Sequence, residues 1–197
     1  MAAHGGKVMM LPPPKLRELA VASQKRAEIL LREQPGRWHV VSIREPGNPA
    51  PDLADALSVH VATFEDVLTP QGQHGHGPRA AHLESILRAV KPLRQAPVLI
   101  HCWAGRSRST AVALTLIVQE LWEAGFESLP LIKAAIGKLL ELNPHAVPNA
   151  LVLRLGLDLI LPHPLPATIT QALMNDPRII ANRQAFHVEA NEPAPEN

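Results

Sequence analysis

Residues 98 to 124 constrain the fold more than any other part of the chain. An apolar run, Val98-Leu99-Ile100, leads into a short polar segment, and from Ser109 to Ala124 the chain is apolar almost all round. A continuous apolar run of strand length has no side to turn to water, so a strand there is covered on both faces. A helix with no polar stripe is likewise buried. A buried strand feeding a buried helix is the unit of an α/β layer structure. The rest of the chain repeats the pattern. Strands are predicted at Trp38–Ile43 and Ser58–Thr63, and the central strand over Val98–His101. Helical spacing of apolar residues predicts helices over Lys15–Glu33, Arg79–Gln95, Leu129–Leu142 and Asn149–Leu161, with a short one near Ala167–Met174 after Pro162, Pro164 and Pro166. Val8–Leu11 is a further candidate edge strand, ended by Pro12-Pro13-Pro14. The expectation is a central, mostly parallel sheet flanked by helices, in one domain over 1–175, with a mobile tail over 176–197.

The polar segment, His101-Cys102-Trp103-Ala104-Gly105-Arg106-Ser107-Arg108-Ser109, carries the chemistry. It holds the only cysteine among 197 residues. A loop entering a helix N-terminus has free backbone N–H groups and a dipole that favours anions. A cysteine in that setting is activated toward thiolate. Arg108, six positions on, offers a planar fork that binds two phosphate oxygens and keeps its charge. Gly105 permits a sharp turn and close backbone approach. Ser109 can donate its hydroxyl to the Cys102 sulfur or assist a leaving group, and His101 can orient the loop through its ring nitrogens. Such a loop can hold and attack a phosphate.

His101 to Ser109 resembles the signature of the cysteine-based tyrosine and dual-specificity phosphatases, HCxxGxxR followed by Ser or Thr. The resemblance spans roughly Trp38 to Leu161. It implies a phosphatase-like fold with a Cys-x5-Arg phosphate loop made by His101, Trp103, Ala104, Gly105, Arg106, Ser107 and Arg108, and hydrolysis of a phosphomonoester through a phosphocysteine, with Cys102, Arg108, Asp66 and Ser109 as the catalytic set. The general acid in that family lies on a loop some way before the cysteine. Asp66, in Phe64-Glu65-Asp66-Val67 after the strand Ser58–Thr63, is similar to the Phe-x-Asp element of compact bacterial members. Glu65 and Asp55 compete with it. The flanking segment from Leu68 to Pro78 is rich in glycine and proline, so it can move or reach over a substrate. Pro148-Asn149 resembles a pair that opens a late helix beside the phosphate loop in relatives, and Asn149 also reads simply as a helix cap. The chain lacks the tyrosine-bearing recognition loop and the Trp-Pro-Asp acid loop of the larger tyrosine-specific enzymes, which points to a shallower, dual-specificity-like site. Arg106, where many relatives are uncharged, leaves a second anionic contact open.

Composition narrows the alternatives. Net charge is +1, with three tryptophans, three phenylalanines and no tyrosine, so neither a nucleic-acid footprint nor a base-stacking surface is expected. No apolar run has the length of a membrane span, and Met1–Lys7 lacks the apolar core of a signal peptide. A lone cysteine excludes an internal disulfide framework. His74 and His76 are too few for a zinc site. A cytoplasmic enzyme without cofactor or metal is the expectation, its partners a phosphorylated protein or small phosphomonoester, with inorganic phosphate or sulfate able to occupy the site. Two other classes compete. One is a catalytically inactive phosphate-binding module, which would have a defective acid. The other is a rhodanese-like sulfurtransferase carrying a persulfide on Cys102, against which His101, Gly105 and Arg108 argue.

Overall fold

A computed structural model describes residues 15–93 and 96–191. The candidate strand Val8–Leu11 and the end of the chain after 191 lie outside the described residues. A four-stranded parallel sheet forms the centre, in the order β1-β4-β2-β3. Its strands are β1 (Leu19–Ser23), β2 (His39–Arg44), β3 (Ser58–Thr63) and β4 (Val98–Cys102). The helices are α1 (Gln24–Glu33), α2 (Ala80–Val90), α3 (Arg108–Glu123), α4 (Ser128–Leu142), α5 (Ala150–Ile160), α6 (Leu165–Met174) and α7 (Pro177–Asn191).

β4 is buried at every residue. It pairs with β1 on one side, Leu19 opposite Val98 through Ser23 opposite Cys102, and with β2 on the other, His39 opposite Val98 through Ser42 opposite His101. Because all strands run the same way, their C-terminal ends share one edge, where open α/β sheets place their ligand crevices. Ser23, Arg44, Thr63 and Cys102 are the residues that arrive there.

The helix expected over Lys15–Glu33 is instead a strand followed by a helix. Leu19-Ala20-Val21-Ala22-Ser23 fits helical spacing, but a doubly covered central strand leaves unpaired N–H and C=O groups on any open side. β1 satisfies that side of β4. Ser23 then ends the strand and caps α1, its Oγ accepting from the Arg26 backbone N–H at 3.2 Å.

The core is split by the sheet. On one face Ala22, Trp38, Val40, Leu53 and Leu99 cluster with Ala27 and Leu31 of α1. The larger cluster is centred on α3, whose run from Arg108 to Val118 is buried throughout. α7 lies past Met174, where the sequence suggests no element. Ile179 is fully buried, and the Asn182 side chain donates to the backbone oxygens of Pro144 at 2.8 Å and Ala146 at 3.0 Å. One buried isoleucine and one amide help seat a helix whose apolar residues form no continuous core-facing stripe.

Candidate active site

Residues 101–109 run from the end of β4 into α3, and other parts of the chain hold their shape. Gly105 has φ +74°, and a Cβ there would come within 2.4 Å of the Ser23 nitrogen. Only glycine permits both that backbone and that approach to β1. The Trp103 oxygen accepts from the Gln24 N–H at 3.1 Å, the Gly105 oxygen from Asn143 Nδ2 at 2.8 Å, and the Arg106 oxygen from the Val147 N–H at 2.8 Å. Thr110 Oγ1 donates to the Arg106 and Ser107 oxygens at 2.6 and 2.8 Å. With the loop's carbonyls turned outward to these donors, the amides of Ala104, Gly105 and Ser107 donate to no protein acceptor among the described residues. Inward-facing amides at a helix N-terminus form an anion cradle.

Cys102 is 1% exposed, and its Sγ lies 3.2 Å from Ser109 Oγ. His101 is fully buried, and neither ring nitrogen has a hydrogen-bond partner of good geometry. Burial lowers its pKa from 6.5 to about 4; the Cys102 backbone opposes the shift and the positive charge of Arg44 adds to it. Trp103 stands exposed at the rim.

Arg108 is buried beneath the loop. Its Nη1 donates to the Phe64 oxygen at 2.6 Å and lies 2.6 Å from Glu45 Oε2. Its Nε completes no hydrogen bond and lies 3.5 Å from Asp66 Oδ2. A buried guanidinium with part of its fork unfilled is suited to an incoming oxyanion.

The two neighbouring acids have different surroundings. Glu65 is buried and turned into the following loop, where its carboxylate accepts from the backbone N–H groups of Gln73 at 2.5 Å and His74 at 2.9 Å. Gly72 packs so tightly on it that a Cβ would sit 2.2 Å from Glu65 Oε2. Asp66 faces the cysteine loop. Its Oδ1 accepts from Ser107 Oγ at 2.7 Å and from Asn149 Nδ2 at 2.8 Å. Phe64, fully buried and stacked on His82 at 5.1 Å between ring centroids, fixes the chain just before both acids.

Asn149 does two jobs. Its Oδ1 caps α5 by accepting from the Val152 N–H at 3.0 Å, while its Nδ2 bonds Asp66 and the Val67 oxygen. Arg106 lies over the Phe186 ring of α7, 5.7 Å from its centroid. Three participants have no sequence signal of their own. Glu45 follows β2 at the ligand-bearing edge of the sheet, which is the single hint of its place. Asn143 and Phe186 reach the loop from α4's end and from α7.

The site thus gathers Cys102, Arg108, Ser109 and Asp66 around one amide-lined loop, and leaves Asp55 out, its backbone oxygen bonded to the Gly36 N–H.

No family model matches the chain, and no curated protein matches its sequence. Among solved structures, the chain is similar to the Yvh1 phosphatase domain from Chaetomium thermophilum (19% identity over 71% of this chain and 88% of that one, TM-score 0.49). It is also similar to Tk-PTP in its active form (18%, 72% and 90%, 0.48) and to human DUSP28 (19%, 87% and 94%, 0.46).

Proposed function

We propose that this protein is a phosphomonoester hydrolase of the tyrosine or dual-specificity type, acting through a phosphocysteine. The observation that carries the reading is the meeting of a buried thiol, an incompletely filled buried guanidinium and a braced carboxylate at one anion-binding loop. Phosphate binds to the loop amides and Arg108, with phosphorus in line with Cys102 Sγ. The thiolate attacks and the ester P–O bond breaks. Asp66 protonates the leaving oxygen. With Oδ1 filled by Ser107 and Asn149, Oδ2 is the oxygen left to carry that proton. Water then attacks the phosphocysteine, Asp66 accepts its proton, and Ser109 stabilises the departing sulfur through the 3.2 Å contact. Catalysis of this kind is positioning plus electrostatics, and the chain's own residues supply both.

Phosphate release from p-nitrophenyl phosphate, with Cys102→Ser alongside, tests the reading. Turnover that vanishes in the variant supports it; equal turnover in both proteins defeats it. A second reading, a phosphate-binding module without turnover, draws on the Glu45 contact, because an arginine already facing a carboxylate has less of its fork to offer a transition state. Tight phosphate binding without hydrolysis would favour it.

A further inference from the structure

The reaction side of the site opens into a groove that the proposed chemistry leaves unused. It has a volume of about 580 Å³, and Asp66, Ser107 and Asn149 line it. A general acid sits next to the oxygen it protonates, so the body of the leaving group lies on the Asp66 side. The groove is that side. Its walls are mostly apolar, with Leu68, Pro148, Met174 and Phe186 among them. A seryl methylene would leave such walls wet, whereas an aromatic ring buries enough apolar area to use them.

α7 supplies the cation of the lining, Arg183, and His187 one turn further along the helix also lines the groove. Arg183 spends Nη2 on the Met174 oxygen at 3.2 Å, and a guanidinium carries further N–H donors besides. The helix is fixed relative to the cysteine loop. Asn182 binds the oxygens of Pro144 and Ala146, in the segment whose Val147 N–H holds Arg106, and Phe186 lies beneath the Arg106 guanidinium. A charge on α7 therefore stands at a set place with respect to a phosphate in the loop.

We infer that α7 extends the site into a carboxylate-binding subsite centred on Arg183, so that the preferred ligand is a phosphotyrosyl peptide with an acidic residue beside the phosphotyrosine. The inference rests on the phosphate occupying the cysteine loop as proposed above. A peptide is favoured over an anionic membrane because the chain has a net charge of only +1 and no basic run of the kind that holds a protein at such a surface.

The test is a binding titration on the Cys102→Ser protein, which holds a phosphopeptide without consuming it. Two fluorescent phosphotyrosyl peptides are compared, one flanked by glutamate and one by glutamine. The acidic peptide is expected to bind about five- to tenfold more tightly, the range of one charge-assisted contact at a partly open site. Arg183→Gln brings the two peptides to the same Kd, and Arg183→Lys restores part of the difference. Equal Kd values in the parent protein overturn the inference. So does an equal weakening of both peptides by Arg183→Gln, which would make Arg183 a support of the fold. Tighter binding to phosphatidylcholine vesicles doped with phosphatidic acid than to either peptide also overturns it. Turnover of p-nitrophenyl phosphate is read separately. An inactive chain with Arg183-dependent acidic preference keeps the subsite and loses the enzyme, and an active chain without that preference does the opposite.

Discussion

Acidification strikes this fold at a definite residue. His101 is fully buried at the end of β4, and its pKa is held down to about 4 from 6.5, chiefly by burial. The folded state keeps a neutral imidazole while the unfolded chain protonates near the ordinary value. Above about pH 6.5 both states are neutral, and the contribution to stability is fully present. As pH falls from 6.5 toward 4, the unfolded chain takes up a proton that the fold excludes, and stability is lost. At about 1.4 kcal/mol per tenfold change in proton activity, the whole interval is worth about 3 kcal/mol, a sizeable share of the 5–15 kcal/mol (roughly) that holds a typical domain together. Urea unfolding of the parent protein and His101→Gln, between about pH 7 and 4.5, isolates this contribution, since titrations distant from His101 cancel in the difference. The stability advantage of the parent over the variant should shrink by about 2–3 kcal/mol across that range. A difference that stays constant would refute the reasoning, because it would mean that residue 101 exchanges no proton on unfolding.

Other perturbations separate the parts of the site. Asp66→Asn is expected to slow hydrolysis of alkyl phosphates by about 10²–10⁴, the usual size of a general-acid effect, and Glu65→Gln to slow it far less; the reverse order in steady-state rates would transfer the role to Glu65. Asn149→Ala removes the cap of α5 and one of the two donors to Asp66, so thermal unfolding should show a loss of about 1 kcal/mol together with a lower kcat. Gly105→Ala meets both a positive φ and the backbone of Ala22 and Ser23; denaturation should report a cost of about 2–4 kcal/mol, and phosphate affinity should fall with it.

The centre of the fold is legible in the sequence because burial there leaves one option. Val98-Leu99-Ile100 and the stretch from Ala111 to Val118 have no polar face, so a covered strand and a covered helix follow without reference to their neighbours. β1 is different. Leu19–Ser23 satisfies helical spacing as well as strand pairing, and the open side of β4, a partner about eighty residues away, decides between them. Adjacent acids pose the same problem at the site. Sequence places Glu65 and Asp66 on one loop, but the direction each faces is set by the amides of Gln73 and His74 and by Ser107 and Asn149. Glu45 carries no motif, since a carboxylate one residue past a strand is commonplace until the strand order brings it to Arg108. α7 escapes for want of periodicity: a few contacts seat it, and its other apolar residues, Ile180 and Val188 among them, are exposed rather than gathered on a core-facing stripe.

The strand order has a bearing on how the chain is made. β4 lies between β1 and β2, which both leave the ribosome before it, so neither has its central neighbour until residue 102 has emerged. The sheet closes by insertion of its last strand, a non-local step that pays loop-closure entropy before pairing rewards it. Cys102 is the last residue of that strand. The thiol therefore arrives with the strand that completes the sheet, while two braces of the loop that follows it, Asn143 and Val147, are made only later in the chain.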